Sequence, residues 1–148
     1  MKIAILGNGK MGRRISELAT EKGHKIVITS CSENTAVSLD LSVTDVAIDF
    51  STPTTAFENI SHAINSGIPV ISGTTAWLEK LQDVKDLCIA KEGAFLYASN
   101  FSLGMNIVFE LNKKFYLIRI FLPECNFIPH LLMKTKFSYS EQMFLLFI

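Results

Sequence analysis

Apolar residues in this chain fall alternately into short unbroken runs and helix-spaced stripes. The runs are Ile3-Ala4-Ile5-Leu6, Lys25 to Thr29 (Lys-Ile-Val-Ile-Thr), Val46-Ala47-Ile48-Asp49-Phe50, Pro69-Val70-Ile71-Ser72 and Ala94-Phe95-Leu96-Tyr97. Unbroken runs of that length predict strands buried on both faces, as in a parallel sheet. Between them, Met11, Ile15, Leu18 and Ala19 recur at helical spacing, as do Phe57, Ile60 and Ile64, and then Trp77, Leu81, Val84 and Cys88. Each stripe predicts a helix with one apolar face. A further apolar helix is predicted over roughly Met105 to Lys114. Strands alternating with helices predict an α/β fold, a parallel sheet with helices on both faces.

Turn residues punctuate these segments. Lys22-Gly23-His24 predicts a helix stop with glycine near C′, and His24 is a surface residue at that end. Ser51 or Thr52 is a candidate cap, and Pro53 suits a first helical position. Gly67-Ile68-Pro69 ends the helix that follows. Residues 34 to 45 show little periodicity and predict a loop or short crossover. Trp77 and Cys88 are expected in the core.

The stretch Gly7-Asn8-Gly9-Lys10-Met11-Gly12 joins the first strand to the first helix. In that context a G-x-G-x-x-G pattern points to a dinucleotide site. Gly7 permits a tight turn, Gly9 admits a pyrophosphate close to the backbone, and Gly12 lets helix pack on strand, with the helix N-terminus facing the anion. The plain alternative is a tight strand-to-helix turn without a ligand. Such folds often carry an acidic residue about 20 positions further on to bind a ribose. Glu33 has roughly that spacing, but it is equally a solvated loop charge, and Ser30 and Ser32 can bond a ribose or a 2′-phosphate without repelling it. NADH and NADPH both remain open. The other strand ends carry Phe50-Ser51, Gly73-Thr74-Thr75 and Ala98-Ser99-Asn100-Phe101. All four turns fall at the carboxyl edge of the predicted sheet, where open α/β sheets bind ligands.

Composition narrows the partners. The 148 residues include 49% hydrophobic and 19% charged, enough for one core of ordinary size. Fourteen Lys plus Arg balance fourteen Asp plus Glu, so no overall basic field invites nucleic acid or an anionic membrane. Cys31, Cys88 and Cys125 are odd in number and lack C-x-x-C spacing, which points to neither a disulfide framework nor a metal site and fits a reducing cytoplasm. The most apolar region, Phe115 to Met133, is interrupted by Arg119, Pro123, Glu124 and Pro129, so no membrane span is expected.

From Met1 to about Lys114 the chain resembles the dihydrodipicolinate (4-hydroxy-tetrahydrodipicolinate) reductase family of lysine and diaminopimelate synthesis. The resemblance rests on Gly9-Lys10-Met11-Gly12-Arg13, Asp49-Phe50-Ser51-Thr52-Pro53, Gly73-Thr74-Thr75 and Ser99-Asn100-Phe101-Ser102-Leu103-Gly104-Met105-Asn106. It implies a Rossmann-like dinucleotide-binding domain over residues 1–114, homotetrameric assembly, and a nicotinamide-dependent oxidoreductase acting on a small cyclic dicarboxylate. It places the pyrophosphate on Gly7, Asn8, Gly9, Lys10, Met11 and Gly12. The nicotinamide half falls near Phe50, Ser51, Gly73, Thr74 and Thr75, with Ala98, Ser99, Asn100 and Phe101 lining the same crevice. The family usually has glycine after Gly73-Thr74-Thr75; here Ala76 stands there, a difference that costs little unless φ is positive.

After Lys114 the chain departs from the family. The adjacent histidines, the following lysine and the small-residue motif of the substrate domain are absent; His130 stands alone, and Lys134 and Lys136 lack that context. No catalytic residue is therefore identified. Residues 115–148 contain no glycine and no aspartate but repeat phenylalanine at Phe115, Phe121, Phe127, Phe137, Phe144 and Phe147. They are expected to be a remnant or out-of-frame ending, the alternative being a short ending that adds a strand or helix. Three readings follow: a reductase, a nucleotide-binding remnant without turnover, and a partner-binding subunit whose apolar tail docks on another chain.

Overall fold

The computed structural model describes residues 1–31, 36–121 and 144–146, with side chains beyond residue 114 left aside. The described chain divides into two compact units, residues 1–99 with the strand at 144–146, and a second unit beginning at Asn100.

In the first unit the apolar runs form strands β1 (Lys2–Leu6), β2 (Lys25–Ser30), β3 (Val46–Asp49), β4 (Val70–Ser72) and β5 (Phe95–Tyr97). Helices α1 (Lys10–Glu21), α2 (Ala56–Asn65) and α3 (Leu81–Ala90) intervene. The sheet runs β2-β1-β3-β4-β5, all parallel, as expected from the unbroken runs. A sixth strand, β6 (Phe144–Leu146), pairs antiparallel with β5 at the edge.

The two-residue period of β1 divides the core. Ile3 and Ile5 point to one face, where they pack with Ala19 and Ile15 of α1 and with Ile26, Val46 and Ile48. Ala4 and Leu6 point to the other, with Ala56, Ile60, Ala63 and Ile64 of α2 and Val84 and Cys88 of α3. Helices thus cover both faces. Trp77, only 4% exposed, stands edge-on to Phe95 and Tyr97 at 6.2 and 5.6 Å between centroids.

All three helices end the same way. The residue after the cap is left-handed and donates to the carbonyl three positions back, and the next N–H reaches the carbonyl five back: Gly23 and His24 after α1, Gly67 and Ile68 after α2, Glu92 and Gly93 after α3.

Three local expectations give way to packing. Met11, assigned to the buried stripe, is 51% exposed, because Gly12 and Ala19 take the sheet-facing positions. Pro53 lies in a turn before α2 rather than at its first position; the Thr52 carbonyl accepts the N–H groups of Thr55 and Ala56, so the helix starts later. Trp77 precedes a 3-10 turn at Leu78–Lys80 instead of opening α3, its indole being drawn into the core. The described part of residues 34–45, expected as a loop or short crossover, holds two short 3-10 turns at Ala36–Ser38 and Leu41–Val43, in keeping with that expectation.

In the second unit, α4 (Leu103–Phe121) is longer than the expected Met105 to Lys114. No described helix is long and apolar enough to cross a membrane. Most of the tail, including Cys125, His130, Lys134 and Lys136, lies outside the described residues.

Candidate functional site

The chain leaves β1 for β2 on one side and returns to β3 on the other, so the order in which strands are added reverses between the parallel neighbours β1 and β3. At such a switch point the loops leaving the two strands diverge and open a crevice at their carboxyl ends. The glycine stretch follows β1, and Phe50-Ser51 follows β3.

Three glycines there are required by crowding. Gly7 has φ +116°, and a Cβ on it would run into the Phe50 carbonyl and lie 2.9 Å from Ser51 Cα. A Cβ on Gly12 would overlap the Gly7 carbonyl oxygen, and one on Gly73 would overlap the Phe50 ring. Phe50 therefore locks the first turn to the third, its backbone against Gly7 and its ring against Gly73. Gly9 differs: nothing lies within 4 Å of where its Cβ would be. It caps α1 without a side-chain bond, leaving the first-turn N–H groups, with their partial positive charge, uncapped by any side chain. Asn8 is held from the helix side, its carbonyl accepting Arg13 Nε at 3.2 Å. Lys10 is exposed.

Beneath the second and third turns lies a group that the sequence reading passed over. Asp49, the last residue of β3, is fully buried, and four donors reach its carboxylate. Ser51 Oγ (2.6 Å) and Asn59 Nδ2 (3.2 Å) donate to Oδ1, while Ser72 Oγ (2.9 Å) and Thr74 Oγ1 (2.7 Å) donate to Oδ2. Thr74 Oγ1 also accepts the Ser51 N–H at 2.8 Å, and the Trp77 indole donates to the Thr74 carbonyl at 2.7 Å. Thr74 is buried, Ser51 half-buried and Thr75 exposed.

Ala98 joins the same edge through its N–H bond to the Ser72 carbonyl at 3.2 Å, and Ser99 follows it. Asn100 and Phe101 belong to the second unit. There Asn100 Oδ1 accepts the Ser102 N–H, Asn106 Nδ2 donates to the carbonyls of Asn100 and Ser102, and Phe101 is exposed. Ser30, weighed as a ribose ligand, is buried with its hydroxyl accepting the Gly7 N–H at 3.1 Å, so it supports the glycine turn from inside. Ser32 and Glu33 lie outside the described residues. Among the described residues no group of three His, Cys, Asp or Glu side chains is placed to hold a metal.

The fold and these turns define a Rossmann-like α/β domain with its ligand-binding edge at the β1/β3 switch point. The chain belongs to the dihydrodipicolinate reductase family: the family's N-terminal domain, described as "Dihydrodipicolinate reductase, N-terminus", matches residues 1–101. A 4-hydroxy-tetrahydrodipicolinate reductase of Christiangramia forsetii is 46% identical over 114 residues, covering 77% of this chain and 48% of the relative. Relatives of the same name from Staphylococcus aureus and Alkaliphilus metalliredigens are 34% and 35% identical, covering 72% and 75% of this chain and 46% of each relative. The chain thus spans about half the length of the curated relatives it matches.

Proposed function

We propose that residues 1–114 are the dinucleotide-binding part of a 4-hydroxy-tetrahydrodipicolinate reductase, taking NADH or NADPH at the β1/β3 edge. The observation that carries this reading is the contrast among the glycines: Gly7, Gly12 and Gly73 are required by the chain's own packing, whereas Gly9 faces open space at an uncapped helix N-terminus. Internal packing gives no reason for Gly9 to lack a side chain; close approach by a phosphate does. The residues fit the cofactor.

In this reading the Gly7-to-Gly12 backbone, with Asn8, Lys10 and Met11, holds the pyrophosphate. Phe50, Ser51, Gly73, Thr74, Thr75, Ala98 and Ser99 hold the nicotinamide side, to which the resemblance adds Asn100 and Phe101. The cofactor, when bound, supplies the hydride. The chain's own contribution is to orient it: the helix N-terminus offers N–H groups to an anion, and the Phe50 ring closes the floor between two turns. The resemblance further implies a cyclic dicarboxylate substrate, homotetrameric assembly and a cytoplasmic setting, and the proposal includes them. The exposed residues Leu103, Ile107 and Leu111, one turn apart on α4, support a subunit or domain contact.

Titrating the purified chain with NADH and NADPH, followed by nicotinamide fluorescence, tests the proposal. Saturable binding of one or both is expected, and saturation by neither overturns the reading. A steady-state assay with freshly generated substrate then tests turnover, which fails if cofactor oxidation never exceeds the enzyme-free rate.

A further inference from the structure

A buried carboxylate is costly unless its lone pairs are filled. Asp49 has about four lone-pair sites, and four donors fill them. Among the described residues no Lys or Arg pairs with it. Among the described residues the carboxylate is held by hydroxyl and amide dipoles, which come from the turn after β3, the last residue of β4, the turn after β4 and α2.

Counting protons gives the bonds a direction. A threonine hydroxyl has one hydrogen; Thr74 Oγ1 accepts the Ser51 N–H, so its hydrogen goes to Asp49. The single hydroxyl hydrogen of Ser51 is likewise committed to Asp49 at 2.6 Å. Ser51, the half-buried member of the set, therefore has only lone pairs left for anything that arrives at the edge. An amide at position 49 would accept on one side only. With its Nδ2 toward Ser51 and Asn59, and Asn59 turned to offer its own Oδ1, the Ser51 hydroxyl would accept from it and its hydrogen would be free to face a ligand.

We propose that Asp49 is a positioning residue that makes Ser51 an obligate hydrogen-bond acceptor, so that this edge selects a ligand group that donates, a primary amide or a ribose hydroxyl. The inference rests on the dinucleotide reading above, in which that group belongs to the nicotinamide riboside. Trp77, the chain's single tryptophan, is bonded to the Thr74 carbonyl and reports on the same turn.

The test compares NADH with ADP, which keeps the adenosine and diphosphate but lacks the nicotinamide riboside, on the full chain. Asp49→Asn and Ser51→Ala are each expected to weaken NADH about 10-fold, the effect of one well-made hydrogen bond, while ADP affinity stays within about 2-fold. Asp49→Asn should also shift the Trp77 emission. Thr74→Val should weaken NADH as Asp49→Asn does, and Thr74→Ser should regain most of that loss. A purely structural Asp49 would lower the melting temperature and move NADH and ADP together; that outcome, or NADH affinity within about 2-fold of wild type in Asp49→Asn, overturns the proposal. If Asp49→Asn does not fold, Ser51→Ala and the Thr74 pair decide: loss of ADP equal to loss of NADH, or Thr74→Val matching Thr74→Ser, overturns it. Wild type binding neither NADH nor NADPH defeats the dinucleotide reading and this inference with it; where NADPH is the one bound, it takes the place of NADH in the comparison. Wild-type binding of NADH with unaffected variants defeats the inference alone.

Discussion

The carbonyl oxygen of Gly7 occupies the space that a side chain on Gly12 would need. Because the obstacle is backbone, and the Ile5 side chain is only 3.2 Å from the same point, α1 must move off the sheet to admit even a methyl group. Overpacking of that kind costs about 3 kcal/mol, and alanine returns about 1 kcal/mol through its better helix propensity. Gly12→Ala should therefore destabilise the domain by about 2 kcal/mol, roughly an 8 °C fall in Tm. An unchanged Tm in thermal denaturation would contradict the close helix–strand contact.

Gly9→Ala should separate from it. Gly9 has φ −77° and ψ −172°, which alanine adopts freely, and the position is open. Stability should change by no more than about 1 kcal/mol, the cost of a poorer N-cap. Nucleotide affinity should fall about 10-fold or more, since the methyl group would stand where a pyrophosphate approaches. Calorimetric titration with NADH or NADPH beside a melting curve checks both, and an unaffected affinity would remove the reason for glycine at this position.

The strands and helices were legible because parallel strands covered on both faces leave unbroken apolar runs, from Ile3-Ala4-Ile5-Leu6 to Phe95-Leu96-Tyr97. The glycine turn was legible because its strand and helix flank it directly. Asp49 was not. A single aspartate closing an apolar run looks like a strand end, and its donors Asn59, Ser72 and Thr74 are 10, 23 and 25 residues away, brought together only by the sheet. Met11 misled for a related reason: its spacing fits the stripe, but the close approach of Gly12 to Gly7 sets the rotation of α1 and turns Met11 outward.

Positive φ at Ala76 (+62°) and Glu92 (+49°) supplies a third prediction. Glu92 occupies the same place after α3 that Gly23 and Gly67 occupy after α1 and α2, with the same pair of closing hydrogen bonds. A left-handed non-glycine residue costs about 1–2 kcal/mol, of which the greater freedom of glycine in the unfolded chain cancels about half. Both side chains are exposed, so little packing is lost. Ala76→Gly and Glu92→Gly should each stabilise the chain by about 0.5–1 kcal/mol, additively because the two sites lie in separate turns, one before and one after α3. Urea denaturation of the two single variants and the double variant checks it; a drop in midpoint for either would show that the left-handed turn is not the strained one.

Burial also sets how the domain responds to alkali. Cys88 is completely buried between α2 and the sheet side of α3, and loss of solvent pushes its thiol above the ordinary value of 9.0. As pH rises past that value the unfolded chain loses this proton while the folded one keeps it, so the folded state binds more protons and stability must fall. The contribution is fully present below about pH 9 and is lost above it. Cys88→Ala removes the titrating group at the cost of a small cavity, so it should lower Tm near neutrality yet flatten its decline between about pH 8 and pH 10. Half-buried Cys31 should meanwhile react with a thiol reagent in the native state while Cys88 stays protected until the chain unfolds. Parallel Tm-against-pH curves for the two proteins would show that the Cys88 proton is not part of the fold's alkaline limit.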